Sequence, residues 1–155
     1  MKVTIRKFRK KDVYKASNAV KRAERITLKK YYPQGIINEF CKKNNPKNFL
    51  IRAKERQFFV AEDKVSDRIL GVIAIKDNQL KTFCVDPTYQ KRGVGRKLYE
   101  RFKKEALKRK LKKVVVYSSL YAIPVYERFG FKKIKKRRRS IKGIGYDDMV
   151  MGVRY

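Results

Sequence analysis

Short apolar segments separated by turn residues predict seven β-strands along the chain. The clearest is the near-continuous apolar segment at residues 68–75, which is typical of a strand buried on both faces. Asp77 and Asn78 predict a turn, and residues 80–85 are then expected to return antiparallel. The other predicted strands lie at residues 2–8, 57–62, 114–117, 132–139 and 148–154, and the last two are expected to form a hairpin around residues 143–145.

Apolar residues at helical spacing predict five helices between these strands. Asp12 is the predicted N-cap of the first helix. A break at residues 28–35 separates it from a second helix, which ends near Pro46, and a third short helix follows through Ala53. A longer helix runs from Val94 to about residue 110, and a short one covers residues 122–129. The apolar face predicted for the first helix consists of Val13, Ala16, Val20, Ala23 and Ile26.

The order of these elements predicts an α/β (α+β) fold. The strand at residues 80–85, the helix after it and the strand at residues 114–117 form a right-handed crossover unit, so these two strands are expected to be parallel. The other neighbours are expected to be antiparallel. The prediction is a mixed, mostly antiparallel central sheet of six to seven strands with helices on both faces. The 155 residues correspond to one domain, residues 1–155.

The chain is unusually basic, with 44 Lys and Arg against 14 Asp and Glu and a formal net charge of +30. A field of this size attracts polyanions such as nucleic acids and phosphorylated small molecules. The densest basic run lies at residues 132–139. Two interpretations stay open: a solvated basic surface, and a patch that faces nucleic acid or the ribosome.

The remaining composition argues against several classes of protein. There is no histidine, and Cys41 and Cys84 lack metal-ligand spacing, so neither a metal site nor a structural disulfide is expected. No apolar segment approaches about 18 residues, so no membrane span is expected. The N-terminal residues do not resemble a signal peptide, and a cytoplasmic protein is expected.

The segment from Val85 to Arg96 predicts an anion-binding site. A strand, a glycine-containing turn and a helix in this order place free backbone N–H groups and the positive end of the helix dipole at one point. Glycine leaves room for a phosphate, and basic side chains add charge. The alternative is that the glycines only form a tight turn before an exposed basic helix. The residues of the predicted site are Gln90, Lys91, Arg92, Gly93, Val94, Gly95 and Arg96.

Two motifs in this order resemble the Gcn5-related N-acetyltransferases (GNAT). Gln90 to Gly95 match the family's acetyl-CoA loop, Gln/Arg-x-x-Gly-x-Gly/Ala, and Val85-Asp86-Pro87 is the usual lead-in. Further along the chain, residues 122–131 match the second signature, Ala-x-x-x-Tyr-x-x-x-Gly-Phe. The two motifs lie in the C-terminal half, and the predicted order of elements agrees with a GNAT fold.

The resemblance implies an enzyme that transfers an acetyl group from acetyl-CoA directly to an amine in a ternary complex. It implies that strands 80–85 and 114–117 splay apart, and that main-chain groups of Phe83 and Val85 receive the pantetheine arm. Tyr126 would be the general acid that protonates the leaving thiolate. Many relatives carry Asn where this chain has Ser119, which can still donate one hydrogen bond to the cofactor.

The sequence says less about the residues that would bind and deprotonate the acceptor amine than about those that would bind acetyl-CoA. Glu62, Asp148 or a water relayed to bulk solvent are the candidates for a general base. A nucleophilic Cys84 is disfavoured, because no histidine can activate it. Substrate contacts are expected from Tyr31, Tyr32 and Tyr146, while the amine itself stays unidentified. The alternative function is a nucleic-acid- or ribosome-associated protein that retains a GNAT fold, and a homodimer is open because relatives often pair through edge strands.

Overall fold

The computed structural model describes all 155 residues and contains one seven-stranded sheet with five α-helices. The strands follow the order β1-β2-β3-β4-β5-β7-β6. Every neighbouring pair is antiparallel except β4 and β5, which are parallel. The strands are β1 (Val3–Lys7), β2 (Gln57–Asp63), β3 (Arg68–Lys76), β4 (Gln79–Val85), β5 (Lys113–Ser118), β6 (Lys132–Ile141) and β7 (Ile144–Arg154). The predicted fold class is confirmed.

Helices cover both faces of the sheet, and each face has its own core. On one face, Phe49 and Phe58 stack at 4.6 Å between ring centroids within a cluster that joins α1 and α3 to β2 and β3. On the other face, Leu98 and Phe102 of α4 pack on the same strands together with Tyr126 of α5. The helices are α1 (Val13–Thr27), α2 (Gln34–Lys43), α3 (Pro46–Ala53), α4 (Val94–Lys108) and α5 (Ile123–Arg128).

The inner face of α1 differs from the prediction at its C-terminal end. Ile26 is 49% exposed, so its assignment to the apolar face is wrong. Helical steps of three and four residues from Val20 lead instead to Ala23, Glu24 and Thr27. Glu24 and Thr27 line the cavity described below, and a carboxylate therefore occupies the buried face of this helix.

Asp12 also has a different role from the one predicted. It stands at the N-cap of α1, but its side chain makes no capping hydrogen bond to that helix. Its carboxylate instead accepts hydrogen bonds from Nη1 and Nη2 of Arg6, at 2.8 and 2.9 Å, and from the backbone N–H of Arg9. The residue therefore ties β1 to the start of α1.

The two parallel strands β4 and β5 separate soon after they begin. They pair only at Gln79 with Val115 and at Leu80 with Val116. A bulge follows in β4, where the pairing with β3 shifts between Val72 and Ala74, and Thr82 takes a positive φ of 32°. Beyond Leu80, β4 pairs with β3 alone, so its other edge borders an open cleft.

The C-terminal hairpin completes the sheet on the far side of this cleft. β7 pairs with β5 along its C-terminal half and with β6 from Ile144 to Gly152, which leaves β6 as an edge strand. The hairpin is longer than predicted at both strands, and its turn contains Gly143. The structure contains no helix that is both long and apolar enough to cross a bilayer.

Candidate active site

The cleft between β4 and β5 opens into a cavity of about 940 Å³. One end is bounded by the turn before α4, and α5 forms the wall next to it. The other end is bounded by α1, by α2 and the segments on both sides of it, by α3 and by β7. The cavity is continuous, so a long ligand that enters at α4 can reach side chains from the opposite end. Its walls combine apolar side chains with Glu24, Arg52, Lys81 and Asp148.

The N-terminus of α4 has the geometry of an anion cradle. Gly93 is the N-cap with φ of 83°, a left-handed conformation that favours glycine, and no atom lies within 4 Å of the position a Cβ would take. Lys91 is also left-handed, with φ of 60°. The first helical hydrogen bond runs from the Lys97 N–H to the Gly93 carbonyl, so the N–H groups of residues 94–96 have no helical acceptor. This turn fits a diphosphate.

The predicted cradle residues contribute in different ways. Gln90, Lys91, Gly93, Gly95 and Arg96 line the cavity. The Gln90 amide donates to the Val85 carbonyl at 3.2 Å, and Arg96 is paired with Glu100 at 3.1 Å. Arg92 does not line the cavity and lies by the ring of Tyr89, whereas the Val94 side chain is buried in the core, so only its backbone can meet a ligand.

Tyr126 lies in the wall of the cavity between the two ends. Its side chain is only 5% exposed, packs against Phe83 and Phe131, and has no hydrogen-bond partner within the protein. Burial raises the pKa of Tyr126, and the nearby Cys84 thiol acts in the same direction. The phenol therefore keeps its proton at neutral pH and has that proton free to donate.

The other residues predicted to hold the cofactor also lie at the cleft. Phe83 and Val85 line it from β4, on the edge that has no strand partner. The Ser119 hydroxyl accepts the Ala122 N–H at 3.2 Å, which leaves its own proton free. The structure thus brings both sequence motifs to one cavity, with α4 at the entrance and Tyr126 further inside.

The three tyrosines predicted to contact substrate are placed differently from one another. Tyr32 and Tyr146 line the cavity and their rings make an edge contact at 5.9 Å. The Tyr32 hydroxyl accepts the Leu120 N–H and donates to the Asp147 carbonyl, each at 2.9 Å, so it ties the far end of the cavity together. Tyr31 is 47% exposed and does not line the cavity.

The structure adds one titratable residue that the sequence reasoning missed. Glu24 of α1 lines the cavity and accepts a hydrogen bond of 3.0 Å from the Asn44 side-chain amide. Burial raises the pKa of Glu24 to about 7, although the Asn44 hydrogen bond and the Arg52 charge act against this shift. The missed signal was its position four residues after Val20, on the buried stripe of α1.

Asn44 keeps Glu24 apart from the nearest buried cation. The Arg52 guanidinium can only donate, and it contacts the Asn44 amide oxygen at 2.6 Å. The amide nitrogen of Asn44 must therefore face Glu24. No cation lies within ion-pairing distance of Glu24, and this carboxylate can gain or lose a proton near neutral pH.

The two carboxylates predicted as base candidates are less suited to the role. Glu62 lies on β2, outside the cavity, and is paired with Arg6 at 3.0 Å. Asp148 lines the cavity, but both of its oxygens are bound by Arg137, at 2.8 and 2.6 Å. Cys84 lines the cavity as well, and burial followed by the negative charge of Glu24 raises the pKa of its thiol, which disfavours the thiolate.

Strands that diverge beside a cationic helix N-terminus, with a buried phenol inside the cleft, define the site of an acyl-CoA-dependent transferase. A model of the acetyltransferase (GNAT) domain family matches residues 26–153, and the chain belongs to this family of acetyltransferases. The earlier resemblance is thereby confirmed. A comparison with curated protein sequences gives no match.

Solved structures of GNAT enzymes share the fold at low sequence identity. A GCN5-related N-acetyltransferase from Rhodopseudomonas palustris has a TM-score of 0.91 at 16% identity, over 100% of this chain and 97% of its own. The PaiA N-acetyltransferase from Thermoplasma acidophilum, solved with coenzyme A, has a TM-score of 0.81 at 20% identity over the whole of both chains. The ribosomal-protein-S18-alanine N-acetyltransferase from Escherichia coli has a TM-score of 0.73 at 21% identity, over 99% and 94%.

Proposed function

We propose that this enzyme transfers an acetyl group from acetyl-CoA directly to the amine of an acceptor bound in the same cavity. The observation that carries the proposal is the continuity of one cavity from the free amides of α4, past Tyr126, to Glu24. The coenzyme A bound to the similar PaiA structure supports the choice of donor. Acetyl-CoA supplies a thioester, and the protein supplies binding, orientation and proton transfer.

Binding of the donor depends on α4 and on the free edge of β4. The N–H groups of residues 94–96 would hold the diphosphate, since they lack acceptors and lie at the positive end of the helix. Phe83, Val85 and Ser119 line the cavity beyond this turn. The main-chain groups of the first two and the hydroxyl of Ser119 would receive the pantetheine arm. Lys91 and Arg96 add positive charge at the entrance.

Glu24 and Tyr126 would carry the protons. An amine attacks only when it is neutral, and Glu24 can take a proton from the bound ammonium because its pKa lies near 7. As the carbon–nitrogen bond forms, the carbon–sulfur bond breaks and the sulfur leaves as a thiolate. Tyr126 donates its phenolic proton to that sulfur, and the extra proton that the nitrogen carries after attack is lost to the resulting phenolate, directly or through water, which restores Tyr126. The acetylated amine and the free thiol of coenzyme A are the products.

Transfer without an acetyl-enzyme intermediate is supported by the state of Cys84. It is the only cysteine that lines the cavity, and its raised pKa keeps it as a thiol. A thiol is a poor nucleophile compared with a thiolate. Both substrates would therefore have to be bound at the same time.

A binding measurement and an activity measurement test the proposal together. Acetyl-CoA should raise the melting temperature by mass action, and a panel of amines should include at least one that releases coenzyme A thiol. When the concentrations of both substrates are varied, double-reciprocal plots of the initial rates should give intersecting lines, as expected for a ternary complex. Failure of acetyl-CoA to stabilise the protein would refute the proposal, and parallel lines would refute direct transfer.

The edge strand β6 favours nucleic-acid association as a second candidate function. Seven of its ten residues are Lys or Arg, and six of these are exposed. Only Arg137 is partly buried, through its pair with Asp148. Basic residues also protect edge strands from aggregation, so the run has a structural explanation. RNA binding that weakens steeply as salt increases would support the second function, and binding without salt dependence would contradict it.

A further inference from the structure

Three basic side chains at the acceptor end stand apart from the rest: Arg52 and Lys81 line the cavity, and Arg56 lies near them without lining it. The chain has 44 Lys and Arg, and most of them are exposed or paired with a carboxylate. Burial lowers the pKa of Arg52, Arg56 and Lys81. After burial, the positive charges of Arg56, Lys76, Arg52 and Arg137 also lower the pKa of Lys81, so Arg52 and Arg56 are among the cations near it.

None of the three has a carboxylate partner within ion-pairing distance. Arg52 donates only to neutral acceptors, the Lys43 carbonyl at 3.0 Å and the Asn44 amide oxygen at 2.6 Å. The Lys81 ammonium lies 5.4 Å from the centroid of the Tyr117 ring and makes no hydrogen bond. The Arg56 Nε atom is buried and has no hydrogen-bond partner at all. A buried donor without a partner is costly, so the cluster is incomplete as a purely structural element.

The fold directs this cluster toward the acceptor end rather than toward the diphosphate. Lys81 follows Leu80, at the closed end of the cleft, where β4 and β5 still pair. It lies opposite Ala74, whose side chain belongs to the core beneath α1 and α3, and therefore points to the same face. Arg52 comes from α3 on that face. The cradle at α4 lies beyond the other end of β4.

Carboxylate and phosphate groups are the natural partners of such a cluster. Arginine and lysine bind them through charge-assisted hydrogen bonds, which are stronger when water is excluded. We propose that the acceptor amine carries an anionic group, a carboxylate or a phosphate, that binds against Arg52 and Lys81 with Arg56 adding charge. This inference rests on the proposed acetyltransferase function.

Glu24 provides the opposite charge for the amine end of the proposed acceptor. Asn44 holds the Glu24 carboxylate and the Arg52 guanidinium on opposite sides of one amide. An acceptor with an ammonium and an anion a few bonds apart would meet charges of opposite sign at both ends. A diamine would place its second ammonium against Arg52 and Lys81, which is repulsive. The site therefore selects against polyamines.

Matched acceptors test the charge preference directly. β-Alanine is compared with 3-aminopropionamide and 1,3-diaminopropane, and 2-aminoethyl phosphate with ethanolamine, by thiol release from acetyl-CoA. The anionic members should have kcat/KM values roughly 10-fold or more above those of their neutral partners. Arg52→Gln and Lys81→Met should remove most of this preference and leave the KM for acetyl-CoA unchanged. Lys54→Met, an exposed lysine between Arg52 and Arg56, is the matched control and should change neither value.

A binding measurement decides the question independently of turnover. With the donor site saturated by coenzyme A, inorganic phosphate should raise the melting temperature of the wild type more than that of the Arg52→Gln/Lys81→Met double variant. Equal stabilisation of both proteins, or preferred acetylation of the diamine, would overturn the inference. If coenzyme A itself fails to bind, the proposed function fails first, so the two failures are distinguishable.

Discussion

The two ends of the cavity present different parts of the chain to a ligand. At the α4 end, the proposed recognition depends mainly on backbone N–H groups and on the conformation of Gly93, all within one short segment. At the acceptor end, Glu24, Asn44, Arg52, Lys81 and Asp148 come from separate elements and act through their side chains. A site built from backbone groups of one segment constrains consecutive residues and is visible as a sequence motif. A site built from side chains of separate elements leaves no such motif. The donor can therefore be inferred from the sequence, but the acceptor cannot.

The largest effect should come from Gly93→Val. Valine is strained at φ of 83°, so the turn would change and the amides of α4 would lose their alignment. Stabilisation by acetyl-CoA in a melting experiment should disappear. Gly143→Val is the matched control, because Gly143 has φ of 80° and equally open surroundings but lies in the hairpin turn. Both variants should lose similar stability, and retained acetyl-CoA binding in Gly93→Val would contradict the cradle.

Tyr126→Phe should affect chemistry and leave binding unchanged. The variant keeps the buried ring and its contacts but lacks the proton for the leaving thiolate. We expect kcat to fall roughly 100-fold or more, with little change in the affinity for acetyl-CoA measured by titration calorimetry. Tyr99→Phe removes another buried hydroxyl, which bonds to Tyr155 outside the cavity, and should reduce stability without reducing kcat. An unchanged kcat in Tyr126→Phe would remove the general acid from the mechanism.

Glu24→Gln should change the pH dependence of the acceptor end. Because Glu24 must be ionised to accept a proton, wild-type kcat/KM should rise with pH through about 7. The variant keeps the hydrogen bond from Asn44 but should lose this acidic limb, with a rate roughly 10- to 100-fold lower at neutral pH. Glu105→Gln on α4, a carboxylate paired with Arg109 outside the cavity, should retain the wild-type profile. If kcat/KM of Glu24→Gln still rose with pH through about 7, the titrating group would have to be another residue.

The same residue links stability to pH. The pKa of Glu24 is raised from 4.5 to about 7, so the folded state holds its proton more tightly than the unfolded state does. The stability of the wild type should therefore fall as pH rises from about 4.5 to 7, by up to about 3 kcal/mol from this group. Glu24→Gln should show a smaller fall, and urea unfolding at pH 5 and pH 8 measures the difference.

Most of the fold could be predicted because local patterns determine it. The run from Ile69 to Ile75 is apolar at nearly every position, and the predicted boundaries of β3 and β4 lie within about a residue of the observed ones. Ile26 was wrongly assigned to the inner face of α1 because that face was predicted from apolar residues alone. Such a prediction leaves out a carboxylate. Glu24 therefore stayed hidden, although it continues the stripe from Val20. Its role depends on Asn44 and Arg52, which approach only after α2 and α3 have packed.

The smallest effects are expected at Tyr31 and Tyr32, which are neighbours in the sequence but lie in different surroundings in the structure. Tyr32→Phe removes the acceptor of the Leu120 N–H and the donor to the Asp147 carbonyl. The cost should be about 1–3 kcal/mol in urea unfolding, with a several-fold increase in the KM for the acceptor, because the turn after β5 loses its tie to β7. Tyr31→Phe should change both by little, since the residue is exposed and its hydroxyl makes no hydrogen bond within the protein. Equal effects of the two substitutions would mean that the hydroxyl of Tyr32 does not organise the acceptor end.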